Sequence, residues 1–341
     1  MAKAYIDNDG LHFENEEIED KINHVTISAT LIEGMLNCPA KAMFDKYLKD
    51  EVIPQEPDNP LVRGTAMHLV LEKYYGVDES TRGKTINRGL IEAAMRAALR
   101  ESPEEVRDNP VFVGWLENSI TRYSRMPASA TDVIIASYYD KWKNHKLGLE
   151  MPVSGIIGNA TRRSFGKVDR LIQADSDDPR TVIIDDYKSG RKAKKYDPKD
   201  PFADFGYIRQ QTMYAMLLEQ DKNTYPDGFN VKGGRLIYPV AENPDGITTG
   251  VILPVDVKNP EYRRKTIDDV EKVANMVNDG IKLNTYECNP KTSHSKPKAL
   301  CSWCPLVNIC PRAYKSEKPN AVMARSNQPD AETLAKVIEQ N

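Results

Sequence analysis

The tightest constraint in this 341-residue sequence is a pair of short runs, SFGKVDRLIQA and RTVIIDDYK, flanking the polar segment Asp175-Ser176-Asp177-Asp178-Pro179-Arg180. β-Branched runs bounded by turn residues read as the strands of a hairpin. With the turn centred between Asp177 and Asp178, antiparallel partners have numbers that sum to 355, which sets Asp169 opposite Asp186. Opposed side chains share a sheet face with Cβ atoms about 4.5 to 5.5 Å apart, and like charges there repel. Lys188, two residues past Asp186, points to the same face, and Asp185 points to the other. A one-residue slip in register would undo this convergence. Two carboxylates beside a lysine suit a hard divalent cation, magnesium or manganese, which takes oxygen ligands and keeps waters for a phosphate substrate. Such an ion neutralises phosphate charge and lowers the pKa of a bound water. The same residues also fit a surface strand pair neutralised by Arg170 or Lys188, and the hairpin alone leaves both readings open.

Around the hairpin, Thr30 with Glu33 forms a capping box that opens a short helix through Cys38 toward Lys46. Residues 61–75 place Ala66, Leu69, Val70, Lys73 and Tyr74 on one helical stripe, with His68 off it. The segments IEAAMRAALRE, NPVFVGWLENSITRY and TDVIIASYYDKWKNH have helical compositions separated by proline breaks, so residues 76–150 read as a helical insertion. FGYIRQQTMYAMLLEQ returns to helix, GGRLIYPVA and TTGVILPVD read as strands, and PEYRRKTIDDVEKVANMVNDGI as a long helix. The expected organisation is an acidic, solvated leader (1–25), N-terminal helices carrying Cys38 and His68 (26–75), the insertion, a core (151–285), a cysteine-bearing lobe (286–316) and a polar tail (317–341) with one weak helix. The formal charge of -3 excludes a global positive field, so a nucleic-acid partner would be held locally. Residues 188–199, which include Arg191 and Lys192, and residues 282–318 are each net +5. No run of 18 apolar residues and no signal-peptide pattern is present, so the chain is expected to act in the cytoplasm with no membrane partner.

Phe165-Gly166-Lys167-Val168-Asp169 followed by Ile183-Ile184-Asp185-Asp186-Tyr187-Lys188-Ser189-Gly190 resembles motifs II and III of the RecB-like branch of the PD-(D/E)XK nuclease superfamily. Arg63-Gly64-Thr65-Ala66-Met67-His68 resembles that branch's G-x3-H motif, and Gln210-Gln211-Thr212-Met213-Tyr214 its Q-x3-Y motif. The four occur in the family's order. The resemblance implies an α/β, restriction-endonuclease-like core in which His68, Asp169, Asp186 and the Tyr187 carbonyl bind magnesium or manganese. It also implies that Lys188 assists the attacking water and that Gln210 and Tyr214 touch the DNA strand. Arg191 and Lys192 would add phosphate contacts. Asp185 departs from the family, which often has an apolar residue there.

Five cysteines, an odd number, argue against a disulfide framework. Cys301, Cys304 and Cys310 lie within ten residues, with Cys38 far upstream. Four thiolates can hold an iron-sulfur cluster or zinc, and plain buried thiols are the third reading. One cysteine before the nuclease motifs and three after resembles the iron-sulfur RecB-like nucleases, including AddB subunits and CRISPR-associated exonucleases, which implies a 4Fe-4S cluster on Cys38, Cys301, Cys304 and Cys310. Cys288 is left over, and Trp303 is expected to pack around the cluster. The implied activity is a DNA exonuclease acting on single strands or DNA ends in recombination, repair or DNA processing, with any unwinding supplied by a helicase partner. The rival is a non-catalytic iron-sulfur DNA-binding or adaptor subunit of a recombination or CRISPR-adaptation complex.

Overall fold

The computed structural model describes residues 3–53, 59–83, 85–190, 193, 196–197, 199, 205–241, 250–289, 301–315 and 319–340. Arg191 and Lys192 lie outside the described residues, as do the basic residues Lys291, Lys296 and Lys298.

The segment expected to be a solvated leader is folded. It forms β1 (Ala4–Ile6), β2 (Leu11–Phe13) and α1 (Glu16–Asn23), and Ala4, Ile6, Leu11 and Phe13 are fully buried. Glu16, Glu17, Glu19 and Asp20 lie on the outer face of α1, while Ile18 and Ile22 face inward. The helix expected from Thr30 to Lys46 is two helices, α2 (Ala29–Asn37) and α3 (Pro39–Tyr47), parted at Cys38 because Pro39 cannot continue the α2 hydrogen bonds. The N-cap of α2 is Ser28, whose hydroxyl accepts from the Leu31 amide, and not Thr30. After the turn α4 (Lys49–Val52) comes α5 (Pro60–Tyr75), which carries His68. Helices α6 (Glu79–Arg82), α7 (Arg88–Glu101), α8 (Glu104–Arg107), α9 (Pro110–Tyr123) and α10 (Ala128–Thr131) follow.

The segment expected to be helical over 131–145 is not helical beyond Thr131. It leads into a two-stranded hairpin of β3 (Ser137–Tyr139) and β4 (His145–Leu147). Asp140 closes its turn by accepting from the Trp142 and Asn144 amides, and Lys143 takes a left-handed conformation.

The central sheet contains β5 (Leu149–Gly155), β6 (Ser164–Gln173), β7 (Thr181–Tyr187), β8 (Asn230–Tyr238) and β9 (Val251–Val255), hydrogen-bonded in that order. All neighbours are antiparallel except β7 and β8. A parallel pair needs a crossover, and α11 (Gly206–Glu219) supplies it. On one face, Val182, Ile184 and Leu236 pack with α11, α2 and α12 (Pro260–Leu283). On the other, Ile172, Tyr187 and Ile237 pack against α5, α7 and α9. The expected α/β architecture is therefore a mixed sheet between two helical layers. The expected polar tail folds as well: beyond α13 (Pro319–Ser326) and α14 (Ala331–Leu334), β10 (Ile338–Gln340) pairs parallel with β1, and Leu334, Val337 and Ile338 are buried.

An ion cluster pins the inner strands on the α9 side. Arg170, fully buried, donates to Asp185 Oδ2 from Nε and Nη2 at 2.9 and 2.6 Å, to the Tyr123 hydroxyl and to the Ala130 carbonyl. Arg235 on β8 donates to both oxygens of Asp185. Asp185 is thus a cross-strand tie. Removing one member strands the other charges in the interior, at about 3–5 kcal/mol. Arg170→Met should lower the unfolding free energy in urea by that amount, and a change below about 1 kcal/mol would show that the cluster does not hold the sheet.

Candidate active site

The hairpin register is the expected one: Arg170 pairs Asp185 and Leu171 pairs Ile184, each summing to 355. The regular ladder stops there, one step short of Asp169 and Asp186. Val168 packs in the same core as Leu171, although residues three apart on a regular strand face opposite ways. The alternation therefore slips at Asp169, whose Oδ2 takes over a ladder position by accepting the Tyr187 amide at 2.8 Å. Across from it, Leu149 pairs Arg170 and Met151 pairs Val168, leaving Glu150 between them with a left-handed φ of 47°. Two strands depart from regular geometry at one level, and the site lies in the fork.

The G-x3-H segment on α5 brings His68 to this fork. Its Nε2 lies 3.1 Å from the Tyr187 carbonyl oxygen, and its Nδ1 lies 3.4 Å from Asp169 and 3.9 Å from Glu150. Ligands around a magnesium ion at about 2.0–2.1 Å are separated by about 3 Å when adjacent and about 4 Å when opposed, and from Nδ1 the Asp169 and Glu150 oxygens fall in that range, while the Tyr187 carbonyl lies against the other ring nitrogen. His68, Glu150 and Asp169 are the one trio of candidate ligand atoms mutually within 4.8 Å among the described residues. Glu150 escaped the sequence reading, since nothing in Leu149-Glu150-Met151 marks it. Lys167, which ion-pairs with it at 2.6 Å, lies in motif II and was a usable pointer.

Asp186 is buried on the α11 side of β7, and Lys188 Nζ approaches its Oδ2 to 2.5 Å. Burial pushes the Asp186 carboxyl up to about 6; Lys188 opposes the rise and Asp169 adds to it. Burial would discharge Lys188, but Asp186 and Asp169 together outweigh it and the ammonium is raised. Burial would likewise lower His68, yet Asp169, with Asp186 and Glu150, raises it to about 9. The site thus crowds three carboxylates among the protonated His68, Lys188 and Lys167.

The Q-x3-Y helix completes a chain of contacts. Lys188 Nζ donates to Gln210 Oε1 at 2.9 Å, and Gln210 Nε2 donates to the Tyr214 hydroxyl at 3.1 Å. Because Tyr214 takes the amide hydrogen, the Gln210 carbonyl must face the lysine. The Tyr214 ring rests on Gly166, where a Cβ would lie 2.2 Å from Cε1, so only glycine fits at that motif II position. Gln210 and Tyr214, expected as strand contacts, also anchor the lysine.

A second cluster lies apart from this one. Cys38, Cys288, Cys301, Cys304 and Cys310 line a single cavity with Lys41 and Arg312. Cys38 accepts from the Lys41 and Asn289 amides, Cys301 from Tyr314, Cys304 from Leu306, and Cys310 from Arg312 and Ala313. Burial raises the Cys38, Cys301 and Cys304 thiols, whereas a hydrogen bond from Cys288 lowers Cys310 to about 7 and raises Cys288. Cys288, left over in the sequence reading, belongs to the same cavity. Trp303, expected to pack there, is 65% exposed, because the tight turn at Cys301–Trp303 points it outward.

Since His68 has a folded value above its ordinary one, its pairing with Asp169 contributes stability present below about pH 6.5 and lost as pH rises through about 9. A cation that takes this imidazole must expel its proton. Above about pH 6, where Asp186 is ionised, manganese affinity should therefore rise about tenfold per pH unit and level off near 9. Calorimetry in buffers of different ionisation heat should detect about one proton released per ion, and none in His68→Ala. Wild-type binding without proton release would remove His68 from the ligand set.

Among the described residues no helix is long and apolar enough to cross a membrane. No curated protein matches the chain. A solved structure similar to it is that of a "Putative exonuclease" from Eubacterium rectale, with 13% identity, a TM-score of 0.45 and coverage of 80% of this chain and 87% of that one. The model of the PD-(D/E)XK nuclease superfamily matches residues 26–311, a span that contains His68, Glu150, Asp169, Asp186, Lys188, Gln210 and all five cysteines. With most of its length inside that match, this chain belongs to the PD-(D/E)XK nuclease superfamily.

Proposed function

We propose that the protein is a metal-dependent DNA exonuclease of the RecB-like branch that hydrolyses phosphodiester bonds of single strands or DNA ends. The observation that carries this reading is a pair of contact chains, His68 with Tyr187 and Asp169, and Asp186 with Lys188, Gln210 and Tyr214, which meet at the consecutive residues Asp186 and Tyr187 and are drawn from four separate sequence segments. The site fits a hard cation: three carboxylates, a carbonyl and an imidazole, an oxygen-rich donor set, face one fork. His68, Asp169, Asp186 and the Tyr187 carbonyl would hold magnesium or manganese, with Glu150 beside them. Once bound, the ion supplies Lewis acidity toward the scissile phosphate and a water of lowered pKa. Lys188, held by Gln210, orients the attacking water and neutralises charge that develops on the phosphate. Tyr214 fixes the Gln210 amide so that the lysine stays aimed.

The cysteine cavity fits a 4Fe-4S cluster on Cys38, Cys301, Cys304 and Cys310, whose sulfurs accept backbone amides as anionic ligands would. Zinc at about 2.3 Å from each sulfur would draw four thiolates to about 3.8 Å of one another. Among the described residues no three of the sulfurs lie within 4.8 Å of one another, so zinc would require the thiolates to close in. Bonds from Cys38 to the downstream cysteines close a loop of more than 250 residues, a large restriction on the unfolded chain.

Purified protein with manganese should shorten end-labelled DNA, and Asp186→Ala and Lys188→Ala should each lose at least about a hundredfold in rate. Equal degradation by wild type and both variants would sink the assignment. DNA binding with no cleavage in any divalent ion would support the adaptor reading instead. Protein prepared without oxygen should be brown and carry about four irons per chain, and Cys304→Ser should lower iron content and melting temperature together. A colourless, zinc-loaded protein would overturn the cluster.

A further inference from the structure

A groove of about 560 Å³ opens where the metal site ends, walled by α2 and α3 and floored by the first turn of α11. We propose that it receives the stretch of a single DNA strand adjoining the scissile phosphate, an inference that rests on the nuclease reading above. The floor is shared with the catalytic chain: Gln210 lines the groove and accepts from Lys188. Tyr207 lines it too, with its ring centre 4.3 Å from Lys188 Nζ. A polymer with one phosphate at the metal site and one neighbouring nucleotide beside Lys188 therefore enters this groove. The walls offer the Ser28 and Thr30 hydroxyls, the Asn37 amide and the Lys46 ammonium.

Two acids also line the groove, and both are paired. Glu33 accepts from Arg209 at 2.9 Å and from Asn37, and Asp45 pairs with Lys41. The charged lining residues Glu33, Lys41, Asp45 and Lys46 sum to zero, and with both acids paired Lys46 is the lining cation outside those pairs. One cation, several neutral polar groups and one aromatic platform suit sequence-tolerant holding of a flexible strand, in which bases stack and few phosphates are paired. The volume is in the range that encloses one drug-sized molecule, which accommodates about one or two nucleotides and excludes a duplex.

Two variants outside the catalytic chain test this. Thr30→Trp fills the groove from an exposed position, and Lys46→Glu, also exposed, reverses its charge. Binding of a fluorescein-labelled 20-mer of deoxythymidine is measured by anisotropy in calcium, and hydrolysis of bis(p-nitrophenyl) phosphate, which spans the metal site alone, in manganese. Each variant should weaken oligonucleotide binding about fivefold to tenfold with small-ester hydrolysis unchanged. Lys46→Glu should also reduce the salt dependence of binding by about 0.7 in log-log slope. Unchanged oligonucleotide affinity in both variants would overturn the groove assignment, as would equal weakening of duplex binding. If wild type hydrolyses neither the ester nor DNA, it is the nuclease reading that fails.

Discussion

Everything in this molecule depends on the different treatment of two adjacent carboxylates. Asp185 and Asp186 point to opposite faces of β7, and both are buried. Asp185 is neutralised by Arg170 and Arg235 through well-formed hydrogen bonds, which lock three strands together. Asp186 is buried beside one lysine and another carboxylate, and that burial, with Asp169 and against Lys188, raises its proton affinity. The first arrangement gives a rigid strand. The second leaves, at a fixed place on that strand, an electrostatic deficit that a divalent cation would relieve.

How much of this could be read from the chain varied with the range of the interaction. The turn between Asp175 and Arg180 sets the register locally, so the 355 sum survived into the fold. The fork at Asp169 did not announce itself, because a slip in pleat alternation comes from how β5, β6 and β7 meet and not from any one of them. Glu150 is invisible for the same reason: its role follows from a backbone angle and from Lys167 across the sheet. The acidic leader and polar tail looked soluble because each contributes only a few apolar residues, and Ala4, Ile6 and Ile338 become buried only when the two ends pair. The hairpin at residues 137–147 was mistaken for a helix because aromatic and charged residues suit either state, and the Asp140 turn decided it. Cys288 is left over in the sequence because the family pattern favours Cys38 as the upstream ligand, yet the chain returns it to the other four thiols.

The two clusters differ in ligand chemistry, oxygen-rich and hard in the fork, sulfur-rich and soft in the lobe, and α2 joins them. Its C-cap is Cys38, and from its middle Glu33 pairs with Arg209, the residue before Gln210. Arg209 is further fixed by Asp269 of α12 at 2.8 Å. A displacement of Cys38 would thus be felt, through one short helix and one ion pair, next to the residue that holds Lys188.

The left-handed backbone at Glu150 has a bearing on engineering. A non-glycine residue in that conformation costs on the order of 1–3 kcal/mol, and glycine there would relax the strand without disturbing a packed core, since Glu150 is only partly buried. A campaign that ranks variants by thermal resistance alone would therefore favour replacing Glu150 and, with each round of such improvement, would move toward a sturdier protein whose fork has lost a carboxylate.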